Sequence, residues 1–165
     1  MHILSSFAGD GLGICAARPP SMIPSIQMII GTCLSVSMTV VRLWCFATLG
    51  QLFDFQVNIK KTHRLITHGP YAFVRHPSYT SAALVWLGAT LVIFSADHWF
   101  AQCVIQRGTW GRILGIAWLT ELVVVLRFAL VVRPEAEDKA LKAHFGEEWE
   151  NWATRVPYRL FPGIY

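Results

Sequence analysis

Three long apolar runs alternate with polar, Gly- and Pro-punctuated stretches along this chain: from about residue 23 to 46, 79 to 96 and 113 to 132. Each holds about 18–24 residues, which at ~1.5 Å of helical rise matches a hydrocarbon core of about 30 Å. The pattern predicts three membrane-spanning helices. The second run carries no charge before Asp97. The first is diluted by Gln27 and by several serines and threonines, which suits a helix packed on neighbours better than one facing lipid. Glu121 and Arg127 lie inside the third run, where ionised groups are costly. They are expected to face the bundle interior or reach for the interface, with Glu121 as a structural partner rather than a catalytic group.

The polar stretches carry their own signals. Gly69-Pro70 marks a turn. Pro77 keeps His76 out of helical geometry and suits the first position of the second helix, so His76 is predicted near its N-cap. That helix end, with its N–H groups and positive dipole, is a place for an anion such as a carboxylate. Tyr71 and Tyr79 offer aromatic faces to a cation. Pro134, followed by Glu135, Glu137 and Asp138, reads as a helix start whose acids would by themselves only complement the dipole. Leu141, Phe145, Trp149 and Trp152 then recur at helical spacing, interrupted by Gly146. This stripe is expected on the membrane surface or as a cap on the bundle. The stretch from Arg155 through Pro157 to Pro162-Gly163 cannot remain helical and is expected as an extended strap.

Composition narrows the class. Of 165 residues, 54% are hydrophobic and 15% charged, against about 25% charged in an ordinary soluble domain. A disordered regulator is thereby excluded, and a compact cytosolic enzyme is disfavoured. The net charge of +4 raises the question of nucleic acid. No basic run exceeds Lys60-Lys61 and the aromatics sit in apolar stretches, so no nucleic-acid partner is expected. Cys15, Cys33, Cys45 and Cys103 are scattered without a CxxC pair, which predicts neither a disulfide framework nor a zinc site. His63, His68 and His76, spaced five and eight apart across a Gly-Pro turn, are unlike metal ligands, and no metal is expected. Residues 1–22 lack the features of a signal peptide and read as a leader or the stub of a longer protein.

Charge also sets an orientation. Segment 47–78 carries Lys60, Lys61, Arg64 and Arg75, and the tail 133–165 carries Arg133, Lys139, Lys142, Arg155 and Arg159; the 97–112 loop has only Arg107 and Arg112. The positive-inside rule places both basic segments on the cytosolic side, where together they can build one site.

At these two segments the chain resembles a known family. His63-Arg64-Leu65-Ile66-Thr67-His68-Gly69-Pro70-Tyr71, followed by Arg75-His76-Pro77-Ser78-Tyr79, looks like the first motif of the isoprenylcysteine carboxyl methyltransferase family. Arg133 through Glu137-Asp138, Leu141, Phe145-Gly146 and Arg155-Val156-Pro157 looks like its second. Leu49-Gly50, Phe53 and Gln56 are similar to the lead-in. The resemblance covers roughly residues 42–163 and is shared in part by phospholipid N-methyltransferases. It implies an all-α integral membrane protein of the endoplasmic reticulum, residues 23–165 forming the methyltransferase domain. It also implies methylation of the C-terminal carboxylate of a prenylated cysteine by S-adenosylmethionine, at a site facing the cytosol. By the same resemblance Gln56, His63, Arg64, Leu65, Ile66, Tyr71, His76, Pro77, Ser78, Tyr79 and Glu137 would hold the cofactor. Arg133 would bind substrate and act in catalysis with Arg75 as a helper; membrane lipids and a prenylated protein C-terminus would be the partners.

The residue types suit that chemistry. Glu137 is a counter-charge for the cofactor's ammonium, and Arg133 can grip a carboxylate with two parallel hydrogen bonds. A C-terminal carboxyl group with a pKa of about 3.5 is ionised at neutral pH and needs no base. The alternatives are N-methylation of an amino lipid such as phosphatidylethanolamine, which needs a deprotonated amine, and a truncated, non-catalytic membrane homologue. Three features depart from the family's pattern. Asp138 stands where a longer Glu is common, Ser81 where a Gly often allows close helix packing, and family members generally have more than three spans.

Overall fold

The computed structural model describes residues 23–52, 64–105 and 108–164. Among them the chain is helical and irregular, with no strand. Helix α1 runs Ile26–Leu49, α2 Pro77–Ile93, α3 Thr109–Arg127, α4 Arg133–Phe145 and α5 Glu147–Arg155. Residues 1–22 and the segment 53–63 with Phe53, Gln56 and His63 lie outside the described residues.

Helices α1 and α2 form an antiparallel pair. Ser25 caps α1 by accepting from the Met28 N–H, and its own N–H donates to Asp97 at 2.6 Å, tying the start of α1 to the loop after α2. Midway, Gly31 meets Gly88 so closely that a Cβ on Gly31 would fall 2.7 Å from the Gly88 carbonyl oxygen. Small residues let two backbones approach where hydrophobic transfer gives no drive, and polar groups add hydrogen bonds across the contact. Gln27 Nε2 donates to the Leu91 carbonyl at 3.0 Å, and Arg42 Nη1 to the Ser78 carbonyl at 2.8 Å. The polar residues that dilute the first apolar run thus partly serve this contact. Ser81 is 1% exposed, its hydroxyl turned back to the Ser78 carbonyl at 3.0 Å. It is accommodated without a glycine because the close approach occurs at Gly31 and Gly88.

Helix α3 is attached more lightly. Trp118 donates to the Thr90 hydroxyl at 3.1 Å, and its ring lies 5.8 Å from that of Trp86. The helix then does not stop at residue 132 to restart at Pro134. A widened π turn over Phe128–Val132, closed by the Arg133 N–H on the Phe128 carbonyl, carries it directly into α4. Proline inside a helix removes a hydrogen bond and clashes with the preceding turn; the wider turn makes room for Pro134. One continuous helix of 37 residues, Thr109–Phe145, results.

Among the described residues two helices, Ile26–Leu52 and Thr109–Phe145, are long and apolar enough to cross a membrane; α2, at 17 residues, is apolar but shorter. Val36, Val40, Leu43 and Trp44 on α1, and Ile116, Val123, Val124 and Phe128 on α3 and the turn after it, face outward. Such a surface is suited to hydrocarbon rather than water.

Glu121 and Arg127 are exposed on the outside of α3, so of the two placements expected for them the bundle interior is not the one adopted, because α3 touches its neighbours along a narrow edge near Trp118. One expectation fails near the far end of α2. Cys103, in the turn Phe100–Ile105, is disulfide-bonded, whereas Cys33 and Cys45 are free thiols.

Candidate active site

The site is built at the end of the bundle where α1 finishes, α2 begins and α4 leaves the apolar run. Gly50, with φ of 53°, ends α1. Gly69-Pro70-Tyr71-Ala72 forms a short 3-10 turn, opened by Gly69 at φ 63°. Cys45, Ile66, Tyr71, Trp152 and Val156 pack into a buried cluster, with Leu65, Leu52 and Trp149 against it. The second half of the tail's apolar stripe, Trp149 and Trp152, therefore caps the bundle. Gly146 at φ 52° breaks the helix between Phe145 and Glu147 and sets this half apart from Leu141 and Phe145. Trp152 is 2% exposed and donates to the Tyr71 carbonyl at 3.3 Å.

After α5 the chain runs back as the expected strap. The N–H groups of Arg75 and His76 donate to the Tyr158 and Arg159 carbonyls at 3.0 and 2.8 Å, and the Thr80 hydroxyl to the Leu160 carbonyl at 2.9 Å. The strap thereby fixes the start of α2, where His76 takes the N-cap position and Pro77 the first helical one.

His76, 2% exposed, sits between two acids on α4. Its Nε2 is 2.9 Å from Asp138 Oδ1 and its Nδ1 3.7 Å from Glu137 Oε2. Asp138 is buried and central: its Oδ2 also meets Arg159 Nε at 3.1 Å and an Arg75 guanidinium nitrogen at 3.5 Å. Burial opposes charge on His76, but its hydrogen bonds to Asp138 and Glu137 outweigh that and hold its pKa above the ordinary value. Burial likewise opposes charge on both acids, and their contacts with His76 hold both below the usual carboxylate range. The result is a buried, ionised network joining α2, α4 and the strap.

In front of that network the groups are more open. Glu137 keeps about a third of its side chain exposed. Arg133 and Glu137 are one turn apart on one face of α4, and Tyr79 is within hydrogen-bonding reach of both. Arg133 also lies 5.8 Å above the Phe128 ring. The Tyr71 hydroxyl is buried beside Ser78, and burial, with Cys45 and Glu137 nearby, pushes its pKa upward, so it stays a neutral donor.

The structure thus brings together Tyr71, His76, Pro77, Ser78, Tyr79, Arg133 and Glu137. It sets others apart. Arg75 turns to Asp138 and lies 5.6 Å over Trp149, within the supporting network. Leu65 and Ile66 pack in the cluster, and Arg64 is exposed. The N–H of His76 is taken by the strap, Pro77 has none, and those of Tyr79 and Thr80 turn back to the His76 carbonyl, so this helix start offers fewer donors than its sequence suggests. Sequence reasoning passed over Asp138 as the centre and Arg159 as its partner. The adjacent acids and the basic strap were the available signal.

Residues 29–107 match the sequence model of the isoprenylcysteine carboxyl methyltransferase (ICMT) family. Protein-S-isoprenylcysteine O-methyltransferase B of Arabidopsis thaliana is 32% identical over 120 residues, 72% of this chain and 51% of that protein. A probable protein-S-isoprenylcysteine O-methyltransferase of Oryza sativa subsp. indica is 28% identical over 138 residues, 82% of this chain and 58% of that protein. Delta(14)-sterol reductase TM7SF2 of Mus musculus is 29% identical over 104 residues, 62% of this chain but 20% of the reductase. The chain spans about half the length of the methyltransferases it matches. By the matched segment, just under half of the chain, and by these relatives, the chain is similar to the isoprenylcysteine carboxyl methyltransferase family.

Proposed function

We propose that the chain is a membrane-embedded methyltransferase that esterifies the C-terminal carboxylate of a prenylated cysteine. The observation that carries this reading is the pairing of Arg133 and Glu137 on one face of α4, where the long helix leaves its apolar run. A cation and an anion presented side by side suit an anionic acceptor and a donor bearing an ammonium group.

S-adenosylmethionine fits the donor set: Glu137 is ionised and about a third exposed, Tyr79 presents a soft face, and Ser78 retains a polar group at the start of α2. When bound, it would supply an electrophilic methyl group. The chain's own task is then orientation. Arg133 holds the acceptor carboxylate by its fork, Tyr79 braces both charges, and the network behind keeps Glu137 from swinging away. No residue has to remove a proton, because the acceptor is already an anion. Holding two reactants in register is worth up to about 7–11 kcal/mol of barrier. An arginine at the acceptor position favours this over methylation of an amine, which requires a base.

The apolar outer faces of α1 and α3 suit a bilayer, with α2 as the third span, and would let a prenyl chain approach from the side. The basic segments support a cytosolic site in the endoplasmic reticulum membrane. The disulfide at Cys103 lies beyond the far end of α2 from His76, where an oxidising lumen would favour it.

The test uses the purified chain in nanodiscs with radiolabelled S-adenosylmethionine and two acceptors, N-acetyl-S-farnesylcysteine and phosphatidylethanolamine. Base-labile label on the farnesylcysteine is expected. Base-stable label on the lipid would transfer the enzyme to the amine-methylating class, and label on neither would overturn the enzymatic reading.

A further inference from the structure

Behind α4, on the side turned away from Glu137, lies a recess of about 310 Å³, lined by Glu135, Asp138, Lys139, Lys142, Trp149 and Arg159. Its size suits a small polar group. Lys139 is exposed and has no ion pair among the described residues. Lys142 meets Glu150 at 3.0 Å, but both side chains are more than half exposed, and water screens such a pair. Arg159 lies between Asp138 at 3.1 Å and Glu135 at 4.0 Å. Of these acids, Asp138 is already shared with His76 and Arg75.

Trp149 forms one wall, with Arg75 and Lys142 lying 5.6 and 5.9 Å from its ring. Its indole N–H is buried and has no acceptor among the described residues. A buried donor without an acceptor is costly, and the cations that line the recess, Lys139, Lys142 and Arg159, favour a ligand bearing negative oxygens. Position narrows the source. The apolar run ends at Val132, so Glu135–Lys142 lie roughly 5–15 Å further along the helix axis, the depth of lipid headgroups if the run fills the hydrocarbon.

We propose that this recess is a binding site for a phosphate group, supplied by the headgroup of an acidic phospholipid. It is separate from the face that carries Arg133 and Glu137, and it stands whether or not the reaction proposed above is correct. It also touches the supporting network through Asp138 and Arg159.

The experiment measures lipid retention by native mass spectrometry on the purified full chain, supplied with dioleoyl phosphatidic acid or dioleoyl phosphatidylcholine. The double variant K139E/K142E removes two cations of the recess, and R155E reverses a charge on α5 outside it. The wild type is expected to keep phosphatidic acid in preference to phosphatidylcholine. K139E/K142E is expected to retain about tenfold less phosphatidic acid, and R155E as much as wild type. If inorganic phosphate at about 10 mM raises the wild-type Tm but not that of K139E/K142E, and the lipid shows no preference, the site stands and its ligand is free phosphate. Equal retention by wild type and K139E/K142E, without a phosphate effect on Tm, overturns the proposal. So does an equal loss in R155E, which would reduce the effect to general surface charge. Should K139E/K142E prove unfolded, K139Q/K142Q carries the same comparison.

Discussion

Asp138 is the residue whose loss the structure punishes most specifically. Asp138→Asn keeps the shape of the side chain and removes its charge, while His76, Arg75 and Arg159 remain around it. Removing one member of a buried ionic cluster costs about 3–5 kcal/mol, because the remaining charges lose their compensation. Arg159 keeps about a third of its surface in water and can recover some solvation, which moves the expectation to the lower end, about 3 kcal/mol. In a chain of this size each kcal/mol shifts Tm by about 2–4 °C, so a fall of about 6–12 °C is expected.

The same substitution changes the pH dependence. His76 has a folded pKa above 6.5, so its contribution is fully present below the unfolded value and lost as pH rises through the folded one. Asp138 and Glu137 have depressed folded values, so theirs is present near neutrality and lost in acid. Wild-type stability is therefore expected to fall on both sides of a plateau. In Asp138→Asn the fall on the alkaline side is shallower, because His76 keeps only the longer contact to Glu137. The assay is thermal unfolding in mild detergent, followed by tryptophan fluorescence from about pH 5 to 9. A variant Tm within about 2 °C of wild type, with the alkaline slope unchanged, would refute the idea of a buried ionised hub.

The remaining predictions address the front of the site and its support. Glu137→Gln removes the ammonium's counter-charge and is expected to weaken S-adenosylmethionine binding about 10–100-fold by calorimetry, as for loss of a charged hydrogen bond of about 1.5–3 kcal/mol; an unchanged Kd would remove Glu137 from the cofactor's set. Arg133→Lys replaces the fork by a point charge and is expected to raise the acceptor KM or lower kcat about tenfold while cofactor affinity stays within about twofold. Wild-type kinetics with a prenylcysteine acceptor would sink that role. Trp152→Ala empties the middle of the cap and breaks the bond to the Tyr71 carbonyl, for an expected loss of about 3–5 kcal/mol read as a lowered Tm. A Tm equal to wild type would mean that α5 does not hold the turn at Gly69–Ala72.

How much was legible in the sequence depended on whether a feature is local. Pro77 fixes the start of α2 within one residue, and the prolines after Arg155 forbid helix, so the N-cap at His76 and the strap could be read directly. The ends of the third helix could not, because Pro134 reads as a start signal unless a widened turn precedes it, and a π turn has no sequence signature as definite as a proline. The same limit governs the site. Arg133, Glu137, Tyr71 and Tyr79 stood out by residue type and motif, but motifs rank neighbouring acids by length, and Asp138 is the shorter of the pair. Only the fold shows that Asp138 lies inward, against His76 and Arg159, while Glu137 keeps about a third of its side chain exposed.

That division of labour follows from the geometry of a helix. Adjacent residues on α4 point about 100° apart, so an acidic pair cannot crowd one face; one member turns to the open side and the other toward α2 and the strap. The inward acid gathers cations from two segments separated by some eighty residues, Arg75 and His76 on one side and Arg159 on the other. It thereby ties the C-terminal strap to the start of α2. Loss of the strap should then disturb the open side indirectly, by freeing Asp138 to compete for His76 and loosening the contact with Glu137. Arg159→Ala tests this coupling, because Arg159 lines the recess behind α4 and meets Asp138 at 3.1 Å. Weaker S-adenosylmethionine binding in that variant, by about threefold or more, is the expected result. An affinity equal to wild type, in a variant whose Tm has nevertheless fallen, would show that the hub stabilises the fold without positioning the site.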